Sequence, residues 1–285
     1  MTWRIGSLFS GYGGLDMAVM AAVGGGQVVW HSDIKPASIT LLDHHYPDVP
    51  NLGDMTLIDY SAVAPIDVLA ASWPCQPHSV AGKKLGSLDE RALWPQVARA
   101  IAETRPKMFF GENVGRITTN GELRRVIRSL AELGYVGAWR CLRASDVGAC
   151  HPRSRCFVVA FEASSYADGA RSQGRRRLHS APREMQTTSH CGLALAEYEP
   201  AITHWGRILG RPAPPAVVQG CGYLLAPEFV EWMMGLPAGW VTEVPGLTRN
   251  QMLSLLGDGV CPPQAAAAFS SLIEHLGMSE LSEAA

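Results

Sequence analysis

The stretch RIGSLFSGYGGLD, residues 4–16, decides the fold of this chain. It begins as a short apolar strand, Arg4–Phe9, and continues into a glycine-rich turn. Glycine lets the backbone turn sharply and approach a ligand closely, and the helix that follows presents its N-terminus at the turn. The spacing is not G-x-G-x-x-G, which counts against a dinucleotide site. Taken alone, the turn also fits a tight loop that binds nothing.

Strand and helix patterns alternate over the first 160 residues. Glu122–Leu133 places apolar side chains on one helical face, and Gly134 is a typical C-terminal stop. This alternation predicts an α/β fold with a doubly wound, mostly parallel sheet. The further strand candidates are Gln27–His31, Asp67–Ala71, Lys107–Gly111 and Cys156–Phe161.

Composition sets the broad class. The chain has 285 residues, 47% hydrophobic and 18% charged, which predicts one large domain, or one domain with a small insert, around a substantial core. The net charge of -2 gives no global nucleic-acid signal, although a local basic patch is enough to bind phosphates. Neither a membrane-length apolar run nor a signal peptide at residues 1–10 is recognisable, so we expect a cytoplasmic protein. Seven scattered cysteines without a C-x-x-C pair suggest neither a disulfide framework nor a metal site.

A compositional break divides the chain into three segments. Residues 1–162 carry the α/β pattern, and residues 163–221 are rich in Ser, Gly, Pro and Arg, which predicts an irregular insert. Helical patterns resume within residues 222–285, at Phe229–Met234 and Pro263–Leu276. The arginines of the insert suit phosphate contacts, and a solvated flexible loop is the alternative.

Two acidic residues extend the site at the glycine-rich turn. Asp33 follows the second predicted strand, where a carboxylate can accept hydrogen bonds from both ribose hydroxyls. Asp54 lies where the next crossover returns to the sheet edge and could accept an adenine amino group. Either residue alone also fits a turn or a helix cap. With the turn, and without a phosphate-binding lysine motif, they favour a sulfonium cofactor over a nucleotide polyphosphate.

Reactive side chains flank the later strands. Cys75, between two prolines, follows the third predicted strand, and Glu112 follows the fourth. Ligands bind at the carboxyl ends of strands in such sheets, so these two residues should meet at one rim. Arg153 and Arg155 come just before the next strand, and in an extended chain they point the same way. Each residue alone has an ordinary structural explanation, but together they favour an active site in which Cys75 is the nucleophile.

These motifs resemble, in order, those of the cytosine-5 DNA methyltransferase family, in its small phage or bacterial form. The resemblance covers nearly all of the chain except the arginine-rich insert. It implies a Rossmann-like, S-adenosylmethionine-dependent methyltransferase fold, with the insert as a small target-recognition region. The matching stretches are Phe9–Gly14, Pro74-Cys75-Gln76, Glu112-Asn113-Val114, Arg153-Ser154-Arg155, Pro227–Trp240 and Gly257–Pro262.

The resemblance also implies a reaction. Cys75 would attack C6 of a cytosine flipped out of duplex DNA, and C5 would then take the methyl group of S-adenosylmethionine. Glu112 would hold the N3 edge of the base, and Arg155, with Arg153 nearby, would donate to its carbonyl. The donor would be bound by Phe9, Gly11, Gly13, Gly14, Leu15, Asp33, Ile34, Asp54, Met55, Pro74, Leu93, Asp258 and Val260.

Contacts to double-stranded DNA are expected from two segments. The loop after the nucleophile has glycines that would allow it to close and charges that would hold phosphates, and the arginine-rich insert adds the second surface. We expect a monomeric enzyme of DNA modification, from a bacterium or phage and with or without a restriction partner. The DNA-contacting residues would be Gln76, Ser79, Lys83, Arg91, Arg175, Arg176 and Arg177.

Two departures from the family pattern and two alternatives remain. Asp258 stands where the family usually has Asn, which adds negative charge near the donor, and Ala92 replaces a usual Gly. The recognition segment is also short for the family.

One branch of the family modifies tRNA, so an RNA cytosine-5 methyltransferase is the first alternative. A DNA-binding protein of weak activity is the second, although the set of Cys75, Glu112 and Arg155 argues against it.

Overall fold

The computed structural model describes residues 2–74, 93–164, 195–218 and 224–278. A six-stranded sheet with the order β2-β1-β3-β4-β6-β5 forms its centre. The first four strands in the chain are parallel, and β6 is antiparallel to both of its neighbours. The mostly parallel sheet predicted from the sequence is therefore confirmed. The strands are β1 (Arg4–Leu8), β2 (Gln27–Ser32), β3 (Val68–Ala71), β4 (Met108–Val114), β5 (Tyr135–Arg143) and β6 (Ser154–Glu162).

Helices cover both faces of the sheet. Alternate residues of β4 enter different cores: Phe110 packs with residues of α1 (Gly14–Ala22) and α8 (Pro262–His275), whereas Phe109 packs with residues of α3 (Trp94–Thr104) and α4 (Glu122–Glu132). This two-sided burial explains why the central strands read as continuous apolar runs. The helices of the described residues are α1 (Gly14–Ala22), α2 (Pro36–His45), α3 (Trp94–Thr104), α4 (Glu122–Glu132), α5 (Glu199–Leu209), α6 (Pro227–Met233), α7 (Arg249–Asp258) and α8 (Pro262–His275).

The far edge of the sheet differs from the sequence-based expectation. Strand β5 was not predicted, and the strand expected at Cys156–Phe161 is the sixth and runs antiparallel. As an edge strand, β5 leaves Val136 and Trp139 exposed. Its sequence therefore lacks both the apolar run of a buried strand and a regular alternation.

The insert expected to be irregular over residues 163–221 contains a helix. In α5, Trp205 is fully buried, and its indole donates to the carbonyl of Trp232 in α6 at 3.1 Å. Helix α7 was also missed, whereas α6 and α8 lie where helical patterns were predicted. The last segment of the chain returns to the sheet, because Phe269 of α8 packs edge-on against Phe110 at 4.8 Å.

Candidate active site

A cleft of about 660 Å³ lies at the carboxyl ends of β1 to β4. Loops at this end of an open α/β sheet form the usual ligand site, and the volume lies within the range of small-molecule sites. Its walls come from distant parts of the chain: residues 7–12, 14–15, 32–38, 53–56, 72–74, 112–114 and 258–260, together with Leu93, Arg155, Gln251, Ser254 and Leu255. Apart from Gly13, every residue predicted to bind the donor lines this cleft.

The glycine-rich turn is held in left-handed backbone geometry. Gly11 has φ 56° and Gly13 has φ 77°, a region that favours glycine. Phe9 also has a positive φ, 55°, which costs free energy and is typical of a backbone held for function. Gly13 does not line the cleft. It precedes the first turn of α1 and shapes the approach of that helix to the cleft.

The last cleft-lining segment packs directly on this turn. The hydroxyl of Tyr12 is buried and donates to the carbonyl of Val260 at 2.6 Å. A Cβ at Gly259 would lie 1.8 Å from the Tyr12 ring, and one at Gly14 would lie 2.6 Å from the Val260 carbonyl oxygen. Both glycines are therefore required by close contact. Sequence reasoning missed Tyr12, because nothing local to the turn indicates a partner 248 residues away.

The two acidic residues of the predicted donor site both line the cleft. Asp33 accepts from the backbone N–H groups of Gly11 and Lys35, each at 2.9 Å, which fixes its carboxylate beside the turn. The Asp54 carboxylate accepts from the N–H and the hydroxyl of Thr56. These hydrogen bonds hold the pKa of Asp54 below its ordinary value, so the side chain is ionised at neutral pH.

An ion pair spans the mouth of the cleft. Nζ of Lys35, in the loop after β2, lies 2.7 Å from a carboxylate oxygen of Asp258, at the end of α7. Both side chains are about 60% exposed. The carboxylate that departs from the family pattern thus has a cationic partner. Lys35 was not among the predicted site residues, because 223 positions separate the two residues in sequence.

Glu112 and Arg155 form a second ion pair, deeper in the cleft. Nε of Arg155 lies 2.8 Å from the Glu112 carboxylate, whose residue is 6% exposed. Burial raises the pKa of Glu112, while Arg155, Arg153 and the Ser72 hydroxyl oppose that rise. Burial likewise lowers the pKa of Arg155. A buried carboxyl beside a guanidinium can both hold a proton and stabilise charge on a bound base.

The side chain of Arg153 contacts the segment after α7. It precedes β6, and its guanidinium donates to the carbonyls of Gly257 at 2.8 Å and Gly259 at 2.5 Å. Unlike Arg155, it does not line the cleft. Because it satisfies carbonyls at the end of α7, Arg153 holds the segment that carries Asp258 and Val260.

The chain that leads into the predicted nucleophile is tied to the end of β4. Nδ2 of Asn113 donates to the carbonyl of Trp73 at 2.9 Å, which ties the end of β4 to the chain that leads into Pro74. Pro74 and Leu93, on either side of residues 75–92, both line the cleft. Asn113 belongs to the Glu-Asn-Val motif, but this role was not predicted. The nucleophile and the expected DNA contacts lie outside the described residues: Cys75, Gln76, Ser79, Lys83, Arg91, Arg175, Arg176 and Arg177.

The described parts of the chain contain no helix long and apolar enough to cross a membrane. Within the same ranges, no three His, Cys, Asp or Glu side chains are grouped to hold a metal ion.

Comparison with known proteins agrees with this geometry. The model of the C-5 cytosine-specific DNA methylase family matches residues 3–197. Type II methyltransferase M.NlaIV of Neisseria lactamica is 36% identical over 142 residues, which are 46% of this chain and 34% of that protein. Type II methyltransferase M.HaeII of Haemophilus aegyptius is 26% identical over 95% of this chain and 93% of its own length. A DNMT2 structure from Spodoptera frugiperda has the same fold, with a TM-score of 0.66 at 17% identity, over 96% of this chain and 99% of that one.

The sheet order and the cleft at the carboxyl ends of its strands define an α/β protein of the Rossmann-like fold. Since the family model covers well over half of its length, the chain belongs to the C-5 cytosine-specific DNA methylase family. The chain spans about a third of the length of the first curated relatives that it matches.

Proposed function

We propose that this protein is a DNA (cytosine-5-)-methyltransferase that uses S-adenosylmethionine as methyl donor. The observation that carries the proposal is the buried ion pair of Glu112 and Arg155, which lies in the same cleft as the residues expected to bind the donor. One cavity can then hold a methyl donor and a flipped base side by side. The relatives named as Type II methyltransferases support the same reaction.

The residues of the cleft suit this donor. Asp33 and Asp54 offer carboxylates to the ribose and the adenine, and the glycine-rich turn leaves room for close backbone approach. Ile34 and Met55 offer apolar contacts on the same wall. The donor carries a cationic sulfonium and supplies the methyl group when bound. A wall with carboxylates and without a phosphate-binding lysine motif fits that charge.

The protein groups divide the chemistry among them. Cys75, as a thiolate, attacks C6 of cytosine, which makes C5 nucleophilic. Glu112 in its protonated form holds the N3 edge, and Arg155 donates to the base carbonyl and favours the thiolate. Loss of the C5 proton and release of Cys75 complete the reaction. Because C6 is inaccessible in a stacked duplex, the base is flipped out at a cost of about a few kcal/mol.

DNA recognition is assigned to the loop after Cys75, which lies outside the described residues, and to residues 163–221, which the structure describes in part. Gln76, Ser79, Lys83 and Arg91 would close over the target as a loop that holds phosphates. Residues 163–221 would read the sequence, with arginines that suit phosphate and guanine contacts. We place the enzyme in the cytoplasm of a bacterium, or in a cell infected by the phage that encodes it, as a monomer that modifies DNA.

The test is transfer of a tritiated methyl group from S-adenosylmethionine to duplex DNA, with tRNA as the competing acceptor. We expect label in DNA, and a covalent adduct that survives denaturing gels when the target carries 5-fluorocytosine, since fluorine cannot leave as a proton does. Cys75→Ser should abolish both signals and retain DNA binding, and Cys150→Ser should change neither. Label in tRNA alone would identify an RNA methyltransferase, and DNA binding without label would identify a DNA-binding protein of weak activity.

A further inference from the structure

Two cysteines outside the proposed chemistry face each other across the edge of the sheet. Cys141 of β5 and Cys156 of β6 are direct partners in the antiparallel register, and both are free thiols. As directly opposed residues of an antiparallel pair, they project their side chains to the same face of the sheet. The pair therefore differs from a lone buried cysteine, since each sulfur already has the other as its neighbour.

The hydrogen-bond pattern of the ladder shows which type of pair this is. Continued past the strand ends, the register that pairs Cys141 with Cys156 also pairs Ala144 with Arg153 and Gly134 with Ala163. Both of these pairs are hydrogen-bonded: the N–H of Ala144 donates to the carbonyl of Arg153 at 2.9 Å, and the N–H of Ala163 donates to the carbonyl of Gly134 at 2.8 Å. Hydrogen-bonded and non-hydrogen-bonded pairs alternate in antiparallel strands, so even-numbered residues of β5 belong to hydrogen-bonded pairs.

Cys141 and Cys156 therefore form a non-hydrogen-bonded pair, the closer type. Such pairs have Cα atoms about 4.5 Å apart, within the range of about 4.4–6.8 Å found in disulfides. The two sulfurs can join without a change of strand register.

The two thiols differ in access and reactivity. Cys141 is half-buried on the edge strand, whereas Cys156 is fully buried. The neighbouring thiol lowers the pKa of Cys141 and raises that of Cys156, and burial acts to raise both. Because the thiolate is the attacking species, Cys141 is the thiol that meets an oxidant first.

We propose that Cys141 and Cys156 are a reversible disulfide site, oxidised by small-molecule disulfides such as oxidised glutathione. The Cys141 thiolate attacks one sulfur of the oxidant, forms a mixed disulfide and releases one glutathione thiolate. Cys156 then loses its proton and attacks the Cys141 sulfur, which releases the second glutathione. The two protein thiols lose two electrons and two protons, and one oxidised glutathione becomes two reduced molecules.

The cross-link would close a loop that carries two arginines of the cleft region. Arg153 holds the carbonyls of Gly257 and Gly259, and Arg155, adjacent to Cys156, pairs with Glu112. Oxidation would thus restrain the segment that supports both the donor wall and the buried ion pair. The disulfide site depends on the β5–β6 geometry alone and is independent of the proposed reaction.

The test uses the full chain, incubated with oxidised glutathione, alkylated and digested with trypsin without reduction. Cleavage at Arg140, Arg143, Arg153 and Arg155 places Cys141, Cys150 and Cys156 on three different peptides. We expect a linked pair of the Cys141 and Cys156 peptides that disappears with dithiothreitol. The Tm of the oxidised protein should rise by about 5 °C, because a disulfide closing a short loop restricts the unfolded chain.

Controls separate this site from other thiol reactions. Cys141→Ser should abolish both the linked peptides and the rise in Tm, whereas Cys150→Ser should retain them. Cys75→Ser should retain them as well, which excludes a contribution from the proposed nucleophile. A Cys141 peptide recovered in alkylated form, or recovered only as a mixed disulfide with glutathione, would overturn the proposal.

Discussion

Glu112 is the residue at which burial and charge oppose each other most directly. Its pKa is raised by burial, and Arg155 at 2.8 Å favours the ionised form. A bound base that accepts a proton at N3 would shift this balance, which is how a buried carboxyl becomes a useful acid. Glu112→Gln removes the transferable proton and retains the shape of the side chain.

We predict that Glu112→Gln lowers the single-turnover methylation rate by about 10²-fold or more, the usual range for loss of a positioned acid. Donor binding, measured by calorimetry, should change little, because Asp33 and the glycine-rich turn are untouched. Glu122→Gln, in the first turn of α4, is the matched control. A rate within about threefold of the unmodified protein would remove Glu112 from the reaction.

Asp16 and His31 form a buried polar pair behind the glycine-rich turn. Oδ2 of Asp16 accepts from the Ser7 hydroxyl at 2.9 Å and lies 4.0 Å from Nδ1 of His31. Burial raises the pKa of Asp16 to about 7 and lowers that of His31 to about 4. The folded protein therefore favours both groups in their neutral forms.

The two shifts act on stability in opposite directions. Between about pH 4 and 7 the folded state keeps a proton on Asp16 that the unfolded chain has released. The contribution of Asp16 to the free energy of unfolding therefore falls as pH rises. Between about pH 4 and 6.5 the unfolded chain holds a proton on His31 that the folded state lacks, so that contribution rises with pH. Asp16→Asn removes the first effect and leaves the second.

We predict that the stability of Asp16→Asn relative to the unmodified protein increases from pH 4.5 to 7.5. The gain should be a few kcal/mol at most, at about 1.4 kcal/mol per pH unit of separation between the folded and unfolded pKa values. Urea unfolding at both pH values measures it, and Asp59→Asn, at an exposed aspartate, is the control. A stability difference that is constant with pH would show that Asp16 titrates normally.

At the scale of elements, the contact between the glycine-rich turn and the segment after α7 decides the shape of the donor wall. We predict that Gly259→Ala lowers the free energy of unfolding by about 1–3 kcal/mol and weakens donor binding, because its Cβ would overlap the Tyr12 ring. Gly257→Ala, at a helical position with open space around its Cβ, should instead raise stability by up to about 1 kcal/mol. Equal effects of the two substitutions in urea unfolding would contradict this packing.

The ion pair between Lys35 and Asp258 joins the β2–α2 loop to the end of α7 across the cleft mouth. We predict that Asp258→Asn and Lys35→Gln each raise the donor dissociation rate by about 1.4- to 5-fold, the range expected from an exposed pair worth 0.2–1 kcal/mol. The double variant should show no further increase, and the chemical step should stay nearly intact.

Stopped-flow measurement of donor release at low and high salt tests whether this ion pair slows donor release. The effect should fade at about 1 M salt, where the Debye length is about 3 Å. Glu103→Gln, which removes the partner of Arg99 on α3, is the control with an equal loss of charge. Additive effects of the two cleft substitutions would show that the side chains act separately.

Elements with strong local signals were predicted from the sequence, and long-range partners were not. Strands β1 to β4 are buried on both faces and therefore read as apolar runs. The edge strand β5 gave no such signal. At the site, Asp33 follows β2 and Glu112 lies near the carboxyl end of β4, and both were predicted by position, whereas the partners of Tyr12, Lys35 and Arg153 depend on how the C-terminal segment returns to the sheet.

At the scale of the whole molecule, the charge balance constrains how the protein meets DNA. The net charge of -2 provides no overall attraction, so affinity must come from local groups of cations. The densest group is the arginine run of the insert, Arg175–Arg177, which lies outside the described residues. A second set of arginines, Arg124, Arg128 and Arg140, is exposed on α4 and β5.

We predict that replacing Arg175, Arg176 and Arg177 together with Gln weakens DNA binding and flattens its salt dependence, while donor binding is unchanged. Each phosphate that the variant no longer neutralises should reduce the slope of log K against log salt by up to about 0.9, because fewer counterions are released. Replacing Arg124, Arg128 and Arg140 removes the same charge from a different surface and should leave the slope unchanged. Fluorescence anisotropy titrations across a salt series measure both variants. If the slope falls equally in the two variants, net charge rather than the insert governs DNA binding. If the slope falls in neither variant, the arginine run faces solvent and the phosphate contacts lie elsewhere. The segment that contains Lys83 and Arg91 is then the next candidate.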